Sequence, residues 1–320
     1  MVSTYRKFGP ASLFAGLCIL ATTEPPHAAD IWFSPRFSAH DYMELFSSGA
    51  DWWNVSSGIT TLEVASNQLT TRMTLSDVST IRDSLKRWNL SLDVALLALP
   101  SATSRNCGYH VEGFSAPGQS KADLQYLKPF RLDIKYFGMD EPLYYGHTFI
   151  GANACNLSIQ EVAVGVADTV RDVRAVYPDA IIGDVEPIGT GGASWVDDTI
   201  DWLDAFKEQT GRELGFFRVD VQWNGPWTDQ LRKLAPELKK RHIPLQVIFN
   251  GLDTATSDQE WVDQAAANFR SYVSSKLPSP DTIVFQFWSQ HPSRALPSSD
   301  ASTMTGLLKS YTQWKPLTAR

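Results

Sequence analysis

The chain has little of what usually marks a cofactor site or a covalent nucleophile. Cysteine is scarce, three in 320 residues, too few to build the Cys and His ligand sets of a structural zinc site, which argues against zinc. No Gly-x-Ser-x-Gly occurs, and none of the six histidines has a Ser or Cys partner in a recognisable nucleophile setting. No glycine-rich phosphate loop follows any strand-like run, so the nucleotide-binding signature is missing and no cofactor is expected. Positive charge is also short. With 28 Lys and Arg against 35 Asp and Glu, the formal net charge is −7, and the basic face that nucleic acid or anionic lipid requires is absent. No nucleic-acid partner is expected, and neutral substrates fit this balance better.

No apolar run reaches the roughly 20 residues of a membrane span. The purest, Ala11 to Ala21, follows Arg6 and Lys7 and precedes the small-residue stretch His27-Ala28-Ala29. That order of charge, apolar core and cleavage site is the pattern of a secretory signal. The expected organisation is therefore a signal peptide over 1–29 and one domain over 30–320, secreted or periplasmic, with no membrane span in the mature chain. Loss of Arg6, Lys7 and Glu24 takes basic residues from 28 to 26 and acidic ones from 35 to 34, a net charge of −8. Cys18 leaves with the signal. Cys107 and Cys155 remain, an even number in an oxidising compartment, for which one disulfide is expected. Asn54, Asn89 and Asn156 begin glycosylation sequons.

What the chain does have is alternation. Short β-branched and aromatic runs, Ile31–Arg36, Thr60–Asn67, Leu90–Leu97, Asp133–Asp140, Ala180–Glu186, Gly215–Gln222, Pro244–Asn250 and Thr282–Ser289, are each followed by a helix-like stretch. Val78, Ile81, Leu85 and Trp88 recur at helical spacing, as do Val162, Val166, Val170 and Val173. Ser158 with Glu161 and Ser257 with Glu260 fit capping boxes, and Gly211 closes a helix that begins near Ser194. Pro236 interrupts the sixth helical segment. Eight strand–helix units fill the chain, so the expected fold is a single (β/α)₈ TIM barrel of the α/β class, and a doubly wound open sheet is the rival.

In such a barrel the C-terminal ends of the strands face the reaction cavity. The fourth run ends Met139-Asp140-Glu141-Pro142, the fifth Asp184-Val185-Glu186-Pro187, and the sixth carries Arg218-Val219-Asp220-Val221-Gln222-Trp223. Burying unpaired carboxylates is costly, so several at one rim point to a polar cavity. Paired carboxyls suit glycoside hydrolysis, in which one acid protonates the leaving oxygen and the other attacks the sugar or activates water. Glu141 and Glu186, each before a proline at its strand end, are the expected pair, with Glu141 as the acid. Alternation sets Asp140 on the face opposite Glu141. It sets Asp184 on the face of Glu186, one layer deeper, where it can hold Lys135 or Arg218. Asp220 is a further member, sharing a face with Arg218 and Gln222. Asn67, Asn250 and Gln286 offer amides to sugar hydroxyls. Trp223, Trp227 and Trp288, at or beyond strand ends, can stack on sugar faces. Trp88, Trp202 and Trp261 sit in helical patterns and read as core.

At Asp140-Glu141-Pro142 the chain resembles the large (β/α)₈ clan of retaining glycosidases whose fourth strand ends Asn-Glu-Pro, its Glu being the acid/base. The resemblance implies a carbohydrate substrate and that role for Glu141. The clan's nucleophile, at the end of the seventh strand, has no counterpart here, because Leu245–Asn250 is followed by no carboxylate before Asp253. The last run, with Trp288, resembles the Trp-bearing final strand of glycosidase barrels. A different class, a carbohydrate-binding barrel without catalysis, accounts for the tryptophans but needs no close acid pair. A third reading joins Asp140, Glu141 and His147 in a metal-assisted hydrolase.

Overall fold

In a computed structural model of the chain, which describes residues 29–52, 58–101 and 107–314, each of the eight runs forms a strand of one closed parallel barrel. The strands are β1 (Asp30–Ser34), β2 (Thr61–Ala65), β3 (Ser91–Leu96), β4 (Ile134–Asp140), β5 (Ile181–Ile188), β6 (Phe217–Val221), β7 (Leu245–Ile248) and β8 (Thr282–Gln286). They pair in sequence order, and β8 closes on β1 with Asp30 opposite Thr282 and Ser34 opposite Gln286. The chain is a single (β/α)₈ TIM barrel. Its outer helices are α1 (Leu75–Trp88), α2 (Gln119–Leu127), α3 (Ile159–Val176), α4 (Trp195–Thr210), α5 (Trp227–Lys240), α6 (Asp258–Ser274) and α7 (Met304–Trp314). Between β1 and β2 the regular element among the described residues is a short 3₁₀ turn, Tyr42–Phe46.

Local chemistry explains most helix ends. Ser158 and Glu161 cap α3 reciprocally, whereas Ser257 accepts from the Glu260 amide while the Glu260 carboxylate turns to Thr256. Gly211, at φ 74°, ends α4 in the left-handed conformation that glycine adopts without strain. The segment carrying Pro236 is one continuous helix, its Trp227, Leu231, Leu234 and Leu238 buried. Packing of that apolar face outweighs the lost amide donor.

The barrel interior is filled in two storeys. Trp32, Tyr136 and Phe216 interlock with Val185, Ile248 and Val284, the Trp32 ring lying 4.5 Å from Tyr136 and 5.5 Å from Phe216. A side chain on Gly183 would stand 2.4 Å from the Phe216 ring, so glycine there makes room for the aromatic plug. Against Trp32 and Phe216 lies the Arg218 guanidinium, 1% exposed, paired with Glu63 and, at 2.8 Å, with Asp93, its Nε on Gln246. The plug closes one end of the barrel, leaving polar side chains toward the mouth at the strand C-terminal ends.

Cys107 and Cys155 form a disulfide. It joins the segment after β3 to the segment after β4, where Gly108 N–H also donates to the Asn153 carbonyl at 2.8 Å. Among the described residues no helix is long and apolar enough to cross a membrane.

Candidate functional site

The mouth is built where β4, β5 and β6 end. Pairing of Asp140 with Val185, and of Val185 with Arg218, fixes their common inward face, and Asp220 lies one step further along β6. Asp140 therefore points into the barrel. Glu141 follows it, and strict alternation would turn it outward. Its amide still extends the ladder to the Val185 carbonyl at 3.0 Å, but its φ is +48°. That conformation is uncommon for a residue with a side chain. The turn swings Glu141 back, so that its strongest electrostatic neighbours are Asp220, Asp140 and Glu112. Glu141 is 9% exposed, and no donor among the described residues reaches its carboxyl.

Asp220 is held differently. The Asn250 side-chain amide faces its Oδ1 at 3.5 Å, and Asn250 in turn accepts from the Trp223 indole at 2.8 Å. Glu112, on the segment after β3, accepts from the Tyr145 hydroxyl at 2.7 Å and so leans over the same mouth. Gly113 brings that segment down onto the turn: a side chain there would meet the Asp140 and Glu141 carbonyls at 3.2 Å. Burial and mutual repulsion hold these carboxyls protonated beyond the ordinary range. Asp140 is pushed up to about 7 by burial and by Glu112, Glu63 and Asp220, with Arg218 opposing. Asp220 is pushed up to about 7 by burial, against the Asn250 hydrogen bond. Burial and four carboxyl neighbours, Asp220, Asp140, Glu112 and Asp184, push Glu141 well above the usual glutamate value.

Glu186 does not join them in the mouth. Val185 packs inside the barrel, so Asp184 and Glu186 on either side of it face outward toward the helices. Glu186 is 0% exposed, and its two carboxyl oxygens accept from the Leu143 and Tyr144 amides at 2.6 and 2.9 Å. The expected Glu141–Glu186 pair in one shared hollow is replaced by a division: Glu141 at the mouth, Glu186 behind it, bonded to the turn that carries it. Asp184 holds neither Lys135 nor Arg218; it accepts from the Trp202 indole of α4 at 2.6 Å. Lys135 is exposed, with its ammonium over the Tyr136 ring. Asp140, set apart from Glu141 by alternation, is in fact its neighbour.

Of the remaining expected site residues, Asn250 is buried and bonded as described, and Gln286 points inward with its Oε1 buried and unpaired among the described residues. Asn67 is exposed just beyond β2. Trp288 is 43% exposed beyond β8, and Trp223 is half-buried. Trp227 is core, stacked on Tyr272, because it opens α5 rather than ending the strand. Gln222 turns to solvent. Trp202 and Trp261 are buried as their helical patterns predict. His147 directs Nδ1 to the Leu157 carbonyl at 2.6 Å, and among the described residues no three of His, Cys, Asp and Glu are arranged to hold a metal. The triad Asp140, Glu141 and His147 is thus not assembled. Glu112 was missed because a lone exposed acid in a long connecting segment carries no sequence signal. Asn54 and residues 1–28 of the expected signal segment lie outside the described residues.

No family model matches the sequence, and no curated protein does. Solved structures do match. Xylanase 10B from Thermotoga maritima is similar over 82% of this chain and 83% of its own, with 11% identity and a TM-score of 0.54. A GH5_18 protein from Streptomyces cattleya, solved in complex with GlcNAc, is similar over 90% of this chain and 81% of its own, with 10% identity and a TM-score of 0.52. A GH18 chitinase from Pseudoalteromonas aurantia covers 89% of this chain and 99% of its own, with 12% identity and a TM-score of 0.50. The chain thus shares the (β/α)₈ fold of glycoside hydrolase barrels.

Proposed function

We propose that the protein is an exported glycoside hydrolase acting on a poly- or oligosaccharide at the C-terminal mouth of its barrel, with Glu141 as general acid and Asp220 as the second carboxyl. The observation that carries this reading is the convergence of Glu141, Asp140 and Asp220 at the end where (β/α)₈ enzymes keep their active sites. Environment distinguishes the two roles. Glu141 has carboxyl neighbours and, among the described residues, no donor, which favours the protonated form that a leaving oxygen needs. Asp220 faces the Asn250 amide, which favours its charged form, suited to attack on the anomeric carbon or to activation of a water. Trp288, Trp223 and Tyr145 supply aromatic faces around the mouth for sugar rings. Glu186 is a positioning residue: by accepting the Leu143 and Tyr144 amides it fixes the turn after Glu141. The disulfide accords with an oxidising compartment and hence with export.

The test is a glycan panel assayed by reducing-end release with the wild type, Glu141→Gln and Asp220→Asn. Each substitution is expected to lower kcat by about 10²–10⁴-fold with the fold retained by circular dichroism. A wild type that cleaves a glycan while both variants keep its rate would overturn the assignment. A wild type that binds glycans and cleaves none would make the protein a carbohydrate-binding barrel.

A further inference from the structure

Glycosidic cleavage needs two carboxyls, and this mouth holds more. Asp140 and Asp220 share the inward face at the ends of β4 and β6, Gly113 sets the segment of Glu112 against the Asp140 and Glu141 carbonyls, and Asp253 follows β7; these carboxyls act on one another. Among the strongest electrostatic influences on them the single cation is Arg218, and Arg218 is already taken by Glu63 and Asp93 below. Among the described residues of the rim, three further basic groups are committed elsewhere. Arg36 donates to the Gln290 carbonyl, His291 pairs with Asp258 at 2.5 Å, and His147 bonds the Leu157 carbonyl. His110 sits on an exposed left-handed turn against Tyr109. Independently of the cluster's charge, the side chain of Glu141 is nine-tenths buried, faces the mouth and has no donor among the described residues. Such a carboxyl, open only toward the mouth, gains from a bound donor the hydrogen bonds that the described residues do not give it.

Resting on the glycosidase reading, we infer that the substrate is a cationic glycan, a chain of amino sugars whose amines are free and protonated, rather than the neutral sugar expected from overall composition. An ammonium group brings a positive charge and several N–H donors, neither of which the described residues offer to Glu141. A neutral hydroxyl brings a donor without the charge, and a uronate adds a further carboxylate to a site already crowded with them. The aromatic faces of Trp288 and Tyr145 remain available to the rings, and a cation over an indole face is itself favourable.

The experiment uses one β-linked hexosamine backbone in two forms, fully N-acetylated and fully de-N-acetylated, with an oligogalacturonate as the anionic arm. Binding is measured by titration calorimetry at pH 6 in two buffers of different ionisation enthalpy, and cleavage by mass spectrometry. The de-N-acetylated oligomer is expected to bind at least tenfold tighter than the acetylated one and to release protons as the mouth ionises around it. Raising salt is expected to shrink that ratio. Glu112→Gln and Asp253→Asn are each expected to narrow it by about fivefold, the effect of roughly 1 kcal/mol from one nearby charge. Equal binding of the two forms without proton release, or tighter binding of the acetylated or anionic oligomer, overturns the inference. Cleavage of a neutral glycan in that case leaves the glycosidase reading standing. Tight binding of the aminated oligomer with cleavage of nothing sinks that reading and leaves this one.

Discussion

Replacing Glu186 by glutamine separates the two roles a glutamate at this strand end can have. In the wild type both carboxyl oxygens accept backbone amides, from Leu143 at 2.6 Å and Tyr144 at 2.9 Å. Glutamine keeps the shape and one acceptor but turns an NH₂ group toward the other amide. One buried N–H is then left unpaired, at a cost of about 1–3 kcal/mol. Loss of the charge itself recovers little, since burial, Asp184 and Glu141 already push the Glu186 carboxyl toward its protonated form. At roughly 2–4 °C per kcal/mol for a domain of this size class, Tm falls by about 2–12 °C. The turn after Glu141 loosens, and a misplacement of about 1 Å at a reacting group costs on the order of 10²-fold in rate. Glu186→Gln is therefore expected to lower both Tm and kcat, the latter by about 10–100-fold, while KM and the alkaline limb of the pH profile stay in place. Glu141→Gln is expected to lower kcat by about 10²–10⁴-fold without lowering Tm. Scanning fluorimetry with steady-state kinetics on a cleaved glycan reads both quantities. Glu186→Gln with wild-type Tm and the activity of Glu141→Gln would refute the reasoning and return Glu186 to the chemistry.

Arg218→Met leaves Glu63 and Asp93, 3% and 0% exposed, without their cation, and is expected to destabilise the barrel by about 3–5 kcal/mol. Urea unfolding checks this, and the triple change that also makes Glu63→Gln and Asp93→Asn should recover most of the loss. Because Asp140 and Asp220 are pushed up to about 7, the folded state holds protons that the unfolded chain releases near pH 4. Their contribution is fully present below about pH 4 and is lost as pH rises through about 7, so Asp140→Asn/Asp220→Asn should flatten the decline in urea midpoint across that window. The disulfide closes a span of 48 residues, for which chain entropy gives about 4 kcal/mol. Cys107→Ser/Cys155→Ser is expected to lose about 2–4 kcal/mol by urea unfolding; a loss below about 0.5 kcal/mol would contradict the account.

The barrel was legible because its signal is repeated. Each strand run is short, β-branched and separated from the next by a stretch with helical spacing, and errors at single boundaries do not disturb the count. The ends of α3 and α4 were readable from Ser158, Glu161 and Gly211 because caps satisfy the backbone locally. Pro236 misled for the opposite reason: its cost is local, while the burial of Leu231, Leu234 and Leu238 that outweighs it is tertiary. The interior storeys were out of reach in the same way. Nothing adjacent to Arg218 in sequence announces Glu63 or Asp93, 155 and 125 residues away, and Gly183 reads as a weak spot in a strand until Phe216 occupies the space above it.

The two Glu-Pro strand ends show where one-dimensional reasoning stops. Both glutamates follow an inward-facing residue, Asp140 or Val185, and alternation therefore assigns both to the outer face. Glu186 obeys, because β5 continues in extended conformation to Ile188 and the outer face at that level offers two amide donors. Glu141 does not, because β4 has ended and the chain turns through positive φ at that residue. Two fixed points hold the turn, the Val185 carbonyl on the Glu141 amide and the Glu186 carboxyl on the next two amides but one. Strain at a single residue persists where surrounding bonds over-determine it, and such residues gather at functional sites. The second glutamate thus supplies part of the constraint that presents the first, and the similarity of the two motifs conceals opposite orientations. On this argument a glycine at 141 would relax the backbone while removing the acid, so Glu141→Gly should raise Tm above that of Glu141→Ala, and equal Tm values for the two would show that no strain is stored at the turn.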